Sequence, residues 1–570
     1  MLQDQPETEE SSVPEEPPGG LRQSVGRRKA KGRYNTTPFS NRLPAEILSS
    51  IFLILASTIA SQFLLTPWLR RGRTSWIYVT HVCRYWREVA LDCATLWSNL
   101  LFFDPSLTEA MLSRSKDAPL SFALTHYHSA SRFKDVLPKI LSKTDRLLSV
   151  EIDNGINAAI LDNFSRSAPI LEKLALSCYL SHPTVNLTST FLQGGAPSLK
   201  HLVLRRFKIE SWNILPLGPR LTHLEIVAPT VQRPSAPKFI ASFQAMPYLQ
   251  TLILQDLLPE DEYPIDPVSN TICPPPFPAL RRLKIIDTFD EVTDFFGAVD
   301  LPETATLSLT FPDSLSFDEE LLEDFLTNLE ESWQGLGSGV QKLVIHEDYE
   351  APRMEFDFYA QDSGETSKTG PKLVIIVQEW SIAIGMDDII VAFTAGMDLS
   401  PLQTLHLSNL QTTVITSDMW IRAFSLFEHL EVVEFRDICL WDFFEALGLD
   451  PAVQDGPQEE GGPQYAPHFP ALTTIKFEGV NFNAQALFSR GFMLLAMDVG
   501  IRRESYPAIA IVVSRCTNFT LADLSELESM GIDVKWDRHV EMSEGDGTGF
   551  PGDDDEDWED VDDENDYDEQ

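Results

Sequence analysis

One leucine pattern recurs in eight copies along the chain and constrains the fold more than any other feature. Its frame is Pro-x-Leu-x-x-Leu-x-Leu, with conservative apolar swaps. The closing Leu-x-Leu alternates as a half-buried β-strand does, and the first leucine lies three residues earlier, where the chain turns into that strand. The first frame positions are Leu171, Leu199, Leu221, Leu249, Leu280, Leu402, Leu430 and Leu472.

The spacing of these copies is nearly regular. The steps are 28, 22, 28 and 31 residues from Leu171 to Leu280, and again 28 residues from Leu402 to Leu430. A period of this size indicates one supersecondary unit per copy, and the frame resembles a leucine-rich repeat. The resemblance implies parallel strands with returning helices or loops outside them, stabilised by stacking. The asparagine that usually follows the frame in that family is missing, and the spacing is irregular.

Between Ile285 and Leu402 the frame is weak, and other patterns replace it. The segments Thr306–Leu309 and Lys342–Ile345 are predicted to be degenerate strands. Phe317–Trp333 has the apolar spacing of an amphipathic helix, and Lys372–Trp380 reads as a buried strand. The predicted fold is therefore α/β, with an irregular leucine-rich-repeat-like solenoid over residues 101–540.

Two short apolar segments lie closer to the N-terminus, at Leu43–Leu55 and Val79–Trp97. In the first, Pro44 suits the first turn of a helix and Glu46 complements its dipole. Ile47, Ile51 and Leu55 then recur at helical spacing. The second segment keeps the same kind of spacing. Helices this short bury little by themselves, so their apolar faces are expected to need a partner.

These two segments resemble an F-box in the variant common in mushroom-forming fungi. The resemblance covers roughly residues 41–100 and includes the closing Leu96-Trp97. It implies docking on a Skp-type linker, which connects to a cullin-based ubiquitin ligase. The docking residues carried over by position are Leu43, Pro44, Ile47, Leu48, Ile51, Phe52 and Leu55. Residues that pack behind them or join the contact are Val79, Val82, Cys83 and Trp86. The segment Ala56–Ser75 departs from the family as an insertion.

Two other interpretations of the N-terminal region stay open. The segments are also compatible with an ordinary helical hairpin that caps the domain after it. The segment Ile47–Leu69 contains no charged residue and is long enough for a membrane helix. Arginines follow it, as they often do at the end of a membrane helix. Serines, threonines, a glutamine and a proline interrupt that run, so membrane insertion is the less favoured interpretation.

Charge and cysteine usage limit the function classes. The net charge is −41, and Asp553–Gln570 contains thirteen acids and no bases. An acidic surface repels phosphate backbones, so nucleic-acid binding is disfavoured. Six cysteines without CxxC spacing indicate free thiols in a reducing compartment. We therefore expect a cytoplasmic or nuclear protein.

The predicted domain boundaries follow from composition and from the motifs above. Residues 1–40 are expected to form a disordered tail with a basic run at Arg22–Arg33, and residues 41–100 to form the F-box. Residues 541–570 are expected to form a disordered acidic tail.

Patterns that could carry catalysis or bind a cofactor are weak. Gly335–Gly339 follows a predicted helix and precedes a strand, which is the reverse of a dinucleotide fingerprint, so a turn is favoured. His126 and His128 alternate on one predicted strand face without a third ligand at metal-binding spacing. No nucleophile elbow is present. We therefore predict no enzyme activity, no metal and no cofactor.

The combined prediction is a substrate-recognition adaptor of a Skp-cullin-F-box ubiquitin ligase, which needs no catalytic residues of its own. Polar positions in or just before the repeat strands are candidate target contacts, or else ordinary solvated strand faces: Lys173, Lys200, His201, His223, Arg281, Lys284 and His406. Their basic character favours an acidic target protein. The alternative is a non-ligase scaffold that uses the repeat surface and the acidic tail to bind basic partners.

Overall fold

A computed structural model describes most of the chain between residues 43 and 539. The described ranges are 43–62, 72, 74–124, 130–153, 156–178, 185–227, 229–231, 233–261, 277–312, 319–337, 339–348, 353–360, 370–378, 386–410, 415–425, 427–438, 442–447, 468–482 and 507–539. The chain divides into two compact units, Met1–Arg282 and Leu283–Gln570. The predicted tails 1–40 and 541–570 lie outside the described residues, as do His126 and His128.

The first unit contains the N-terminal helices and a parallel sheet. Its helices are α1 (Ala45–Gln62), α2 (Val79–Val82), α3 (Arg84–Asp92), α4 (Pro105–Arg114), α5 (Leu137–Leu141), α6 (Ala158–Leu161) and α7 (Ala236–Gln244). Its strands are β1 (Asn99–Leu100), β2 (Leu120–Leu124), β3 (Leu147–Ile152), β4 (Lys173–Ser177), β5 (Val185–Leu187), β6 (His201–Arg205), β7 (Phe207–Ile209), β8 (His223–Val227), β9 (Thr230–Val231) and β10 (Thr251–Gln255). Parallel pairs run β1-β2-β3-β4-β6-β8-β10, and β5-β7-β9 form a second small parallel sheet.

The second unit is also mixed α/β. Its helices are α8 (Phe289–Ala298), α9 (Glu319–Ser332), α10 (Met386–Gly396), α11 (Ser417–Phe424), α12 (Asp442–Ala446) and α13 (Leu521–Ser529). Its strands are β11 (Arg282–Ile286), β12 (Thr306–Phe311), β13 (Val340–Asp348), β14 (Arg353–Ala360), β15 (Leu373–Gln378), β16 (Thr404–Ser408), β17 (Val432–Arg436), β18 (Thr474–Glu478), β19 (Ala510–Ser514) and β20 (Asp533–Trp536).

Strand β14 departs from the parallel pattern. It pairs antiparallel with β13 on one side and with β15 on the other, while β12–β15, β13–β16 and the series β16 to β20 are parallel. The sequence-based prediction of parallel strands is therefore wrong for this hairpin. Met354, Phe356 and Phe358 alternate into the core, so β14 had a strand signal that lay outside the repeat frame.

The leucine frame forms the buried core against the large sheet in each of the two units. In all eight copies the three frame positions are at most 2% exposed. The amide of the first frame residue donates to the carbonyl three residues earlier in every copy, as in Leu199 to Ala196 at 3.0 Å. This turn directs the chain into the strand, as the frame predicted. The backbone amide of the next residue then donates to the backbone carbonyl at the equivalent position of the preceding repeat. For example, the Lys200 amide donates to the Glu172 carbonyl at 2.8 Å.

A left-handed residue ends many of these strands at the same place. Asp256, Asn409, Asp437 and Gly479 directly follow β10, β16, β17 and β18 and have φ between +53° and +67°. Asn, Asp and Gly tolerate this region best. Repetition of one backbone turn after successive strands indicates that the copies are structural repeats as well as sequence repeats.

The weak region between Ile285 and Leu402 follows the prediction in outline. Helix α9 occupies the predicted amphipathic segment, and β12, β13 and β15 occupy the three predicted strand segments. Gly337 and Gly339 have φ of +50° and +90° between α9 and β13. The predicted turn at the glycine-rich segment is confirmed at these two glycines.

Candidate functional site

Helix α1 is held to the rest of the N-terminal region by one of its faces. Leu48 and Phe52 are buried, and the Phe52 ring lies 5.2 Å from the ring of Trp86 on α3. The hydroxyl of Tyr85 donates to the carbonyl of Leu43 at 2.8 Å, across 42 residues of sequence. These contacts fix the direction in which the opposite face of α1 points.

The opposite face of α1 is apolar and open to solvent. Ile47, Ile51, Ile54 and Leu55 are 49%, 43%, 64% and 39% exposed, and they follow one another at helical spacing. We call these four residues the apolar stripe. Ser50 and Thr58 border it and donate their hydroxyls to backbone carbonyls of the same helix. A contiguous exposed apolar surface with a polar border is typical of a protein–protein contact.

The structure sorts the residues predicted to contact a linker into three groups. The exposed ones are Pro44, Ile47, Ile51, Leu55 and Val82. The half-buried ones are Leu43, Cys83 and Trp86. The buried ones are Leu48, Phe52 and Val79. Sequence reasoning missed Ile54 and Tyr78, which are among the most exposed large apolar residues of this region; Ile54 could have been found because it continues the helical spacing of Ile47 and Ile51.

Cys83 has a local structural role at the junction of α2 and α3. Its φ of −157° is extended, and its Sγ accepts the amide hydrogen of Trp86 at 3.4 Å, which caps the N-terminus of α3. Arg87 also fixes this junction, because its Nε donates to the carbonyl of Thr80 at 2.7 Å. Val82 is left exposed at the turn, so it is available to a partner while Cys83 is used internally.

The N-terminal helices are continuous with the first sheet. Strand β1 begins two residues after Trp97 and pairs with β2. The indole Nε1 of Trp97 donates to the carbonyl of Ala90 at 2.8 Å, and the Arg114 guanidinium lies 4.4 Å from the ring centroid. The same helices can therefore cap the sheet through one face and present the apolar stripe through the other.

Three predicted target contacts come together on the first sheet. Lys173 lies opposite His201 in register, and His201 lies opposite His223. The two imidazole centroids are 5.6 Å apart. Side chains at paired positions of neighbouring strands point to the same side of a sheet. We call Lys173, His201 and His223 the His201 row.

Acidic partners already neutralise much of the charge beside this row. Lys173 Nζ lies 2.6 Å from Glu151, and Arg205 Nε donates to Glu225 at 2.6 Å. Burial, the neighbouring His223 and nearby lysines lower the pKa of His201. Burial raises the pKa of Glu225, but hydrogen bonds from His223 and Arg205 outweigh it and hold the pKa below the ordinary value. At neutral pH the row therefore presents neutral His201 and paired charges, which weakens the argument for an acidic target.

The other predicted target contacts are placed elsewhere. Lys200 lies just before β6 and forms an ion pair with Glu172 at 2.9 Å. Arg281 is exposed, and its amide donates to the carbonyl of Gln250 at 2.8 Å. Lys284 is half-buried on β11, and His406 is buried on β16, both in the second unit.

His406 and Asp357 stand out on the second sheet because each has a polar atom without a hydrogen-bond partner. His406 is 7% exposed, and its Nε2 is unpartnered among the described residues. Its Nδ1 lies 3.9 Å from Glu434. Asp357 Oδ1 is likewise buried and unpartnered. Both residues pair in register with Val344, one on each side. We call Asp357, Val344, His406 and Glu434 the His406 face.

The buried position of Asp357 disfavours the ionised form of its carboxyl group. Burial and then the nearby Glu355 raise the pKa of Asp357 to about 6, although Lys342 acts in the opposite direction. Burial also lowers the pKa of His406, against the influence of Glu434. Buried polar groups normally have hydrogen-bond partners, so Asp357 and His406 form a candidate binding site. Of these two residues, the sequence analysis identified only His406.

Replacing Asp357 by Asn is expected to stabilise the second unit by about 1 kcal/mol at pH 7.5, after allowing for solvent screening. The folded pKa of about 6 exceeds the ordinary 3.8, so the carboxylate costs stability above pH 6. Below about pH 4 the acid is protonated in both states and the gain disappears. Urea unfolding at pH 7.5 and 4 measures this difference, and an equal effect at both pH values would contradict it.

Other kinds of site are weakly supported. Among the described residues, no group of three or more His, Cys, Asp or Glu side chains is placed to hold a metal ion. In the same ranges, no helix is both long and apolar enough to cross a membrane; residues 63–69 of the uncharged run lie outside them.

Comparison with models of protein families and with curated proteins finds no match for this chain.

Proposed function

We propose that the chain is a substrate-recognition adaptor of a Skp-cullin-F-box type ubiquitin ligase, in which the N-terminal helices form the F-box. The observation that carries this proposal is the apolar stripe of α1, where four large side chains remain substantially exposed. Three of these four, Ile47, Ile51 and Leu55, are sequence positions that resemble the linker-docking residues of fungal F-box proteins. These side chains are about half-exposed in the free chain, so burying the rest of each would stabilise a complex by roughly 1 kcal/mol.

The sheets provide the second half of the proposal. Repeated turns, buried frame residues and carbonyl-to-amide links between successive repeats support a leucine-rich-repeat-like solenoid. In each unit one sheet face is filled by the leucine frame, while the other carries polar side chains such as the His201 row and the His406 face. In this proposal those polar faces contact the target, and the recruited ligase supplies the chemistry.

Affinity purification of the tagged full-length chain from a mushroom-forming fungus tests the proposal. We expect a cullin to be recovered with the chain and to disappear when the Skp-type linker is depleted, because the linker is the only bridge between them. Recovery of partners of the sheet faces without any cullin, from a chain that is folded, would instead support the non-ligase scaffold.

A further inference from the structure

We draw no further inference here: the strongest candidate, the apolar groove between helix α1 and strand β1 that is lined by Leu53, Ala56, Trp76, Leu100 and Phe103, carries none because nothing in the structure shows what covers it.

Discussion

A chain carrying both Ile47→Asp and Ile51→Asp is expected to lose binding to a Skp-type linker by at least about 100-fold while it remains folded. Each isoleucine is about half-exposed in the free chain, so an aspartate there is solvated and costs the fold little. In the complex the same positions would be buried. The lost apolar contacts of two half-exposed isoleucines are worth roughly 0.7–1.5 kcal/mol each, and the cost of burying two unpaired carboxylates carries the total past the 2.7 kcal/mol that corresponds to about 100-fold. Titration calorimetry with purified linker measures the loss.

Two comparison variants make this result specific. Tyr248→Asp combined with Leu521→Asp introduces the same charges at exposed apolar positions that do not belong to α1 and should leave linker binding unchanged. Phe52→Asp should also abolish binding, but it should lower the melting temperature, since Phe52 is buried against Trp86. Undiminished linker binding by the double isoleucine variant would show that the apolar stripe is not the docking surface.

Replacing Trp420 by Ala is expected to lower the free energy of unfolding of the second unit by about 3–5 kcal/mol. Trp420 on α11 is fully buried. Its ring lies 4.8 Å from Phe424 and 4.7 Å from Phe443 on α12, with Phe435 of β17 at 6.1 Å. It therefore connects two helices and a strand that belong to neighbouring repeats. Removing it leaves a cavity that the surrounding rings fill only in part.

The matched control for this prediction is Trp420→Phe. The indole Nε1 is buried without a hydrogen-bond partner among the described residues, so phenylalanine removes a poorly satisfied polar group together with part of the ring. We expect a loss of no more than about 1.5 kcal/mol. Urea unfolding followed by circular dichroism compares the two variants, and a Trp420→Ala variant as stable as Trp420→Phe would contradict the packing described for this layer.

The repeats could be predicted from sequence because one spacing rule governs the buried side chains. Each frame leucine sits at a position that the strand and its preceding turn both require, so eight copies gave eight strands. Strand β14 was missed because its alternation belongs to a hairpin outside that frame. The antiparallel pairing of β14 with β13 and β15 depends on contacts between strands, which the alternation within one strand does not predict.

The candidate sites were predictable to different extents. The His201 row follows from the frame, since residues at the same repeat position must lie side by side. On α1, helical spacing identified the apolar residues but could not distinguish Phe52, which packs on Trp86, from Ile51, which faces solvent. Asp357 escaped sequence reasoning because its neighbour His406 is remote in sequence and the two meet only through the register of β13.

The most direct test of the proposed adaptor is size-exclusion chromatography with light scattering of the full-length chain mixed with a purified fungal Skp-type linker. The apolar stripe predicts a single co-eluting species with the mass of one chain and one linker. Separate elution of the two proteins at micromolar concentration, with the chain shown to be folded by circular dichroism, would contradict the proposal.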